Sequence, residues 1–294
     1  MTDGVDHELD AVALWAEFLA LGAVPDQEFD HDRATELVTR LNEPGAPEVV
    51  EWALPLLSGV DPWHREAAAW VLMQHGFPEG RPFAALVLPH LVAAAGQEPD
   101  PDVRGLMVDA IGRSEMAAAA PELMWFADDP EPWVRQKVAA NLATLFEDEL
   151  SAPAVTCLLT LTRDDDPAVR NWATFALGTQ SDADGPEIRQ AFRDRLADGD
   201  ALGATRDEVD AAAEAAMGLA RRHDPAVRPW LDRQLARPEH EVGNLVVEAA
   251  GELGDPGLVA ALVALEDAGW HLHPDEPHPG SLREAIDALR QAAG

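Results

Sequence analysis

Apolar and polar positions along most of this chain follow the period of an amphipathic helix. In the phrase DPAVRNWATFALG, which begins at Asp166, Val169, Ala173, Ala176 and Leu177 fall at i, i+4, i+7 and i+8, laying one apolar stripe along one helical face. The phrase recurs as DPWHREAAAWVL from Asp61, DPDVRGLMVDAIG from Asp100 and EPWVRQKVAANLA from Glu131. Weaker copies without the arginine start at Glu208 (EVDAAAEAAMGLA) and Glu241 (EVGNLVVEAAGEL). The arginine-equivalent positions 65, 104, 135, 170, 210 and 243 are spaced by 39, 31, 35, 40 and 33 residues, which fits a repeat of two helices.

Each part of the phrase has a mechanical job. Asp accepts hydrogen bonds from the free amides of a first helical turn, and Pro fits the next position because its missing N–H is not needed there. A second amphipathic segment precedes each phrase, as in VVEWALPLLSG, APELMWFADD and VTCLLTLTRDD. The pattern predicts helices over 7–21, 31–42, 47–58, 62–75, 83–95, 101–114, 116–127, 132–146, 151–163, 167–180, 186–197, 205–223, 225–236, 240–253, 256–267 and 281–292. One hairpin cannot bury its own stripe, so the units must stack. The expected fold is all-α, a right-handed α-solenoid of about eight stacked antiparallel helix pairs. Residues 1–46 are expected to form an N-terminal helical cap, 47–268 the repeat array, and 269–294 a loop and a closing helix, all in one continuous solenoid.

Charge narrows the function. Against 21 Lys plus Arg stand 54 Asp plus Glu, a formal charge of −33, which excludes a general nucleic-acid binder. Such acidity also keeps a protein hydrated, and solubility accounts for it before partner steering does. Lys137 is the sole lysine, tyrosine is missing, and isoleucine is confined to Ile111, Ile188 and Ile286, a bias that GC-rich codon usage produces by itself. The acidic start MTDGVDHELD lacks the basic residues of an export signal, so a cytoplasmic location is expected. The longest apolar stretch, 83–95, is interrupted by Pro89 and His90 and is too short to span a bilayer, so no membrane partner is expected. Cys157, in AVTCLLTL, reads as a buried small hydrophobe.

The phrases DPAVRNWATFALG and VVEAAGELGDPGLVAALVAL resemble HEAT-like repeats of the short bacterial type, the phycobilisome-lyase type, over 47–268. In that family the repeated arginine ties to acidic groups of neighbouring repeats. The resemblance therefore implies an internal ladder of Arg65, Arg104, Arg135 and Arg170 with turn residues such as Asp61, Asp100 and Asp166. That role is structural, and cutting one buried partner costs about 3–5 kcal/mol.

Candidate chemistry is sparse. WHLHPDEPHPG brings His271, His273 and His278 near Asp275 and Glu276, metal-ligand types in a proline-stiffened stretch that reads better as a solvated linker. His240 with Glu241 resembles one His-Glu pair of deoxyhypusine hydroxylase, a HEAT-like di-iron enzyme that needs four such pairs. Equivalent positions here read His64 with Arg65, Val134 with Arg135 and Val169 with Arg170, so that ligand set is missing. Neither a nucleophile elbow, a phosphate loop nor a dinucleotide fingerprint occurs. HEAT-like DNA glycosylases need a cationic face, and nothing matches a tetrapyrrole-handling motif of the bilin lyases. No catalytic residue, metal or cofactor is expected.

Surface recognition remains. In HEAT-like stacks the second helix of each pair lines the concave side, and residues one and five after the arginine should point away from the core. That strip comprises Glu66 and Trp70, Gly105 and Asp109, Gln136 and Ala140, Asn171 and Phe175, and Asn244 and Glu248. Trp63 and Trp133 share one repeat position and are candidates for an aromatic grip, or else for covering the apolar ends of adjacent helices. Trp52, Trp125, Trp172 and Trp230 read as core. The expected function is a non-catalytic scaffold or adaptor whose acidic concave surface binds a protein with a basic patch, including an immunity or inhibitor protein. The alternative is a lyase- or chaperone-like enzyme handling a small cofactor in the groove.

Overall fold

Each Asp-Pro pair opens a helix. In the computed structural model, which describes residues 3–22, 29–42, 47–75, 81–201, 203–270 and 281–292, Asp61, Asp100 and Asp166 are N-caps followed by proline. Asp61 Oδ1 accepts from the Trp63 amide, Asp100 Oδ1 from those of Asp102 and Val103, and Asp166 Oδ1 from those of Ala168 and Val169. Glu131, one methylene longer, makes no such side-chain bond.

The described residues form 16 α-helices and no strand, and the chain divides into two compact units, Met1–Asp148 and Glu149–Gly294. The first holds α1 (Asp3–Leu21), α2 (His31–Leu41), α3 (Pro47–Ala53), α4 (Pro62–Gln74), α5 (Ala84–Ala95), α6 (Pro101–Gly112), α7 (Ala120–Met124) and α8 (Pro132–Leu142). The second holds α9 (Ala152–Leu161), α10 (Pro167–Gly178), α11 (Pro186–Gly199), α12 (Arg206–Arg221), α13 (Arg228–Leu235), α14 (Asn244–Leu253), α15 (Val259–Asp267) and α16 (Ser281–Ala292). This is α-solenoid architecture, with eight helix pairs among the described residues. Second helices pack against second helices, α4 on α6 on α8 in one unit and α10 on α12 on α14 on α16 in the other.

At three boundaries that differ from the sequence pattern, proline or glycine is responsible. The helix expected over 47–58 tightens to a 3₁₀ turn at Leu54–Ser58, where Pro55 has no N–H to donate. The segment 116–127 breaks into a 3₁₀ turn, α7 with Pro121, and another 3₁₀ turn. The helix expected from 240 starts at Asn244, because Gly243 is its extended N-cap and Glu239–Glu241 forms a separate 3₁₀ turn.

The core is built largely from small residues. The repeat valines Val103, Val134 and Val169 are buried, as are Ala67, Ala68, Ala139, Ala173 and Ala176. Such side chains let helices approach closely, and Gly178 of α10 and Gly218 of α12 take this furthest. A Cβ on Gly178 would lie 2.8 Å from the Glu214 carbonyl oxygen. Larger groups close the ends: Phe18 in α1 is fully buried, and Trp270 is buried with Nε1 donating to Val242 O at 2.8 Å. Cys157 is half-buried, not the interior hydrophobe expected. Trp230 is buried, but Trp125 and Trp172 are exposed at 72% and 37%, contrary to their reading as core.

Candidate protein-interaction surface

The turns entering the second helices are laced together by arginines. Arg65 Nη1 donates to the Gly59 and Val60 carbonyls of its own turn, both at 3.1 Å, while Nε and Nη2 donate to Glu98 of the next turn at 2.6 and 2.9 Å. Arg104 repeats this on Glu98 O at 2.8 Å and on the Asp129 carboxylate at 2.8 and 3.0 Å. Arg135 donates to Asp129 O and Pro130 O. In the second unit, Arg170 holds Asp164 O and Asp165 O and donates to Glu208 at 2.9 Å. Hydrogen bonds to Glu98 and to Asp129 hold the Arg65 and Arg104 guanidiniums protonated beyond their ordinary range.

The carboxylates differ from those implied by the family resemblance. Asp61, Asp100 and Asp166 are occupied by capping, because an N-cap side chain folds over its own first turn. The ties go instead to acids lying just ahead of the caps, or, for Arg170, to Glu208 inside a capping box. Glu98 and Asp129 sit two residues before a cap and also accept from the amides of Asp100 and Glu131 at 3.0 and 2.9 Å. Each therefore joins one repeat's arginine to the next repeat's helix start.

Several candidates for partner contact turn inward. Trp63 donates from Nε1 to Leu19 O at 2.8 Å, and its ring meets Phe18 and Phe29 edge-on at 5.5 and 5.1 Å. Trp70 meets Phe18 at 5.8 Å. Both indoles fasten the N-terminal helices to α4, so Trp63 is no exposed grip. Asp109, 5% exposed, is an interior hub accepting from Asn141 Nδ2 at 2.9 Å, Lys137 Nζ at 3.2 Å and Arg113 Nε at 3.3 Å. It too leaves the surface, because α8 supplies its partners.

The rest stay accessible. Trp133 is 43% exposed, lies over Gly105, and carries Lys137 Nζ 4.1 Å from its ring centroid. Glu66 and Gln136 are half-buried in the same unit, and burial followed by the nearby Asp100 and Asp102 charges raises the Glu66 carboxyl above the usual range. In the second unit Asn171 and Phe175 are half-buried on α10, with exposed Trp172 edge-on to Phe175 at 5.8 Å. Asn244 Nδ2 and Ser281 Oγ donate to Glu248 at 2.6 and 3.2 Å.

Sequence reasoning missed Trp172, Trp125 and Glu214. The signal was present for the tryptophans: position 172 falls off the stripe of Val169, Ala173 and Ala176, and 125 lies between buried Leu123 and Phe126. Glu214, on α12, accepts from Thr179 Oγ1 at 2.6 Å, and its carboxyl is raised by burial and then by Asp210 and Glu248. An open groove of about 570 Å³ lies between α12, α14 and α16, with buried Met217 and Ala285 at its base and Glu248, Glu252 and Glu284 along its sides.

The electrostatic balance follows from these ties. Arginines 33, 65, 104, 170, 189, 193, 221, 222, 228 and 233 are all engaged internally, and acids outnumber bases 54 to 21 along the chain. Among the described residues, no group of three or more His, Cys, Asp or Glu is placed to hold a metal ion. His271, His273 and His278 lie outside the described residues. His240 and Glu241 are exposed in the turn before α14. No helix among the described residues is long and apolar enough to cross a membrane.

Stacked helix pairs with a recurring turn arginine are the arrangement of HEAT-like repeats, and residues 88–178 match the family model described as HEAT repeats, with which the chain is consistent. Protein YibA of Escherichia coli strain K12 is 32% identical to this chain over 127 residues, 43% of this chain and 40% of YibA. The match thus spans about two fifths of that relative's length. The X-ray structure of E. coli YibA superposes with a TM-score of 0.69 at 23% identity, covering 94% of this chain and 92% of that one. Yeast importin-beta (Kap95p) is similar with a TM-score of 0.53 at 14% identity, covering 98% of this chain and 39% of that one. At these identities the structural likenesses concern fold.

Proposed function

We propose that this protein is a non-catalytic interaction scaffold that binds a protein partner carrying a basic patch on the acidic faces of its second helices. HEAT repeats generally mediate protein interactions, which supports the class of function. The observation that carries the charge of the partner is the internal use of the arginines: with a formal charge of −33 and its guanidiniums engaged in ties between turns, the molecule presents uncompensated carboxylates to its surroundings. Trp133 and Trp172 add exposed aromatic area of the kind that anchors interfaces. An inhibitor of a basic enzyme is one form this takes, since opposite charge speeds encounter. The test is co-purification from the native host at low and high salt. A specific basic protein retained at low salt and shed at high salt is expected; a partner indifferent to ionic strength, or an acidic one, overturns the reading.

A further inference from the structure

We infer that the groove between α12, α14 and α16 seats an arginine or lysine side chain from an extended basic segment of the partner. This rests on the scaffold reading above and gives it an address. Three features converge within the second unit. The groove, about 570 Å³, is large enough for a long side chain, and its base is apolar, formed by buried Met217 and Ala285. That base suits the methylene stem of an arginine or lysine, whose charged head stays at the wetter edge. The edge carries Glu248, Glu252 and Glu284, from two helices.

Glu248 is positioned in advance. Asn244 Nδ2 and Ser281 Oγ both donate to its Oε1, fixing the carboxylate across the gap between α14 and α16. α14 and α16 meet closely at Gly251, where a Cβ would lie 3.0 Å from Ala285 Cβ, so the walls stand on a rigid base. Glu252 and Glu284 are exposed and, among the described residues, form no ion pair, so they lie where a visiting cation meets them first. Charge complementarity selects the occupant: a second copy of a −33 chain is repelled, and an apolar or acidic peptide leaves these carboxylates uncompensated.

The experiment uses the full chain and a short fluorescent oligoarginine peptide, with binding followed by anisotropy at low ionic strength. E248Q with E284Q should weaken binding about tenfold or more. Ala288→Arg, at an exposed position on the groove wall, should weaken it comparably by supplying a resident guanidinium. Glu187→Gln with Asp194→Asn, on exposed positions of α11 in the same unit, removes the same charge and should change binding less than threefold, within the range of long-range screening alone. Unchanged far-ultraviolet dichroism and melting of Ala288→Arg secure its fold. If the groove variants bind like wild type, or the α11 pair weakens binding equally, the groove assignment is wrong while an acidic scaffold survives. If wild type ignores the peptide even at low salt, the basic-partner reading falls with it.

Discussion

In Met1–Asp148 the tie between turns starts from the first turn of a second helix, as Arg65 reaches Glu98 and Arg104 reaches Asp129. In Glu149–Gly294 Arg170 does the same onto Glu208, but beyond it the guanidinium comes from first helices. Arg189 and Arg193 of α11 reach Asp224, and Arg228 of α13 reaches Asp255. Asp224 and Asp255 also cap the 3₁₀ turns that open their own helices, accepting from the amides of Ala226 and Gly257. A carboxylate that accepts from an amide at the start of one repeat and holds an arginine of the repeat before it is common to both units; the helix that supplies the arginine is not. Burial differs as well. The Arg104 and Asp129 side chains are 13% and 9% exposed, those of Arg228 and Asp255 27% and 39%.

That contrast can be broken by substitution. Arg104→Met should cost about 3–5 kcal/mol, because it leaves Asp129 and the Glu98 carbonyl nearly buried without their donor. Denaturant titration checks it, and a loss below about 1 kcal/mol would mean that the tie is ornamental. Next is Gly178→Ala, which drives a methyl against the Glu214 carbonyl in the α10–α12 contact and should cost about 1–3 kcal/mol by the same measurement. Gly105→Ala should cost less, since its obstacle is the exposed indole of Trp133, which can swing aside.

Arg228→Met should cost about 1 kcal/mol or less, because water screens its pair with Asp255. A larger loss than for Arg104→Met would reverse the ranking of the two units. The smallest effects separate by pH. The Gly257 amide and then Arg228 hold the Asp255 carboxyl below its ordinary range, so its stabilisation is complete above the unfolded carboxylate pKa near 4 and is lost as pH falls through the lower folded value. Asp255→Asn should therefore lower the melting temperature at neutral pH and lose its effect in strong acid. Burial raises Glu214, so its charged form opposes folding at neutral pH and stability rises as pH falls toward the ordinary glutamate range. Glu214→Gln should raise the melting temperature by about 2 °C at pH 7, and that gain should vanish near pH 4.

The helix pairs were legible because the same local chemistry is written many times: Asp-Pro caps and the Val–Ala–Ala–Leu stripe of 169–177 recur with little change. Acid partners were less legible. The distance from Arg104 to Asp129 is 25 residues and that from Arg170 to Glu208 is 38, so no fixed offset marks the tie. Missing arginines at 210 and 243 looked like decay of the repeat, whereas the work had moved to Arg189, Arg193 and Arg228 on helices carrying no repeated phrase. The surface strip was the least legible part. One and five places after the arginine fixes a direction on an isolated helix, but it does not reveal that α8 covers Asp109 with Lys137 and Asn141, or that α1 covers Trp70 with Phe18.

Because register is set where guanidiniums bridge the turns, spare length is free to accumulate at the opposite ends of the pairs. The connector from α10 to α11 runs from Thr179 to Gly185, while that from α14 to α15 has only Gly254 and Asp255 before the 3₁₀ turn at Pro256. Added length there costs little closure entropy, but Arg221 and Arg222, donating to the Thr179 and Ala183 carbonyls, fasten the longer connector, so a graft between them trades those bonds for reach.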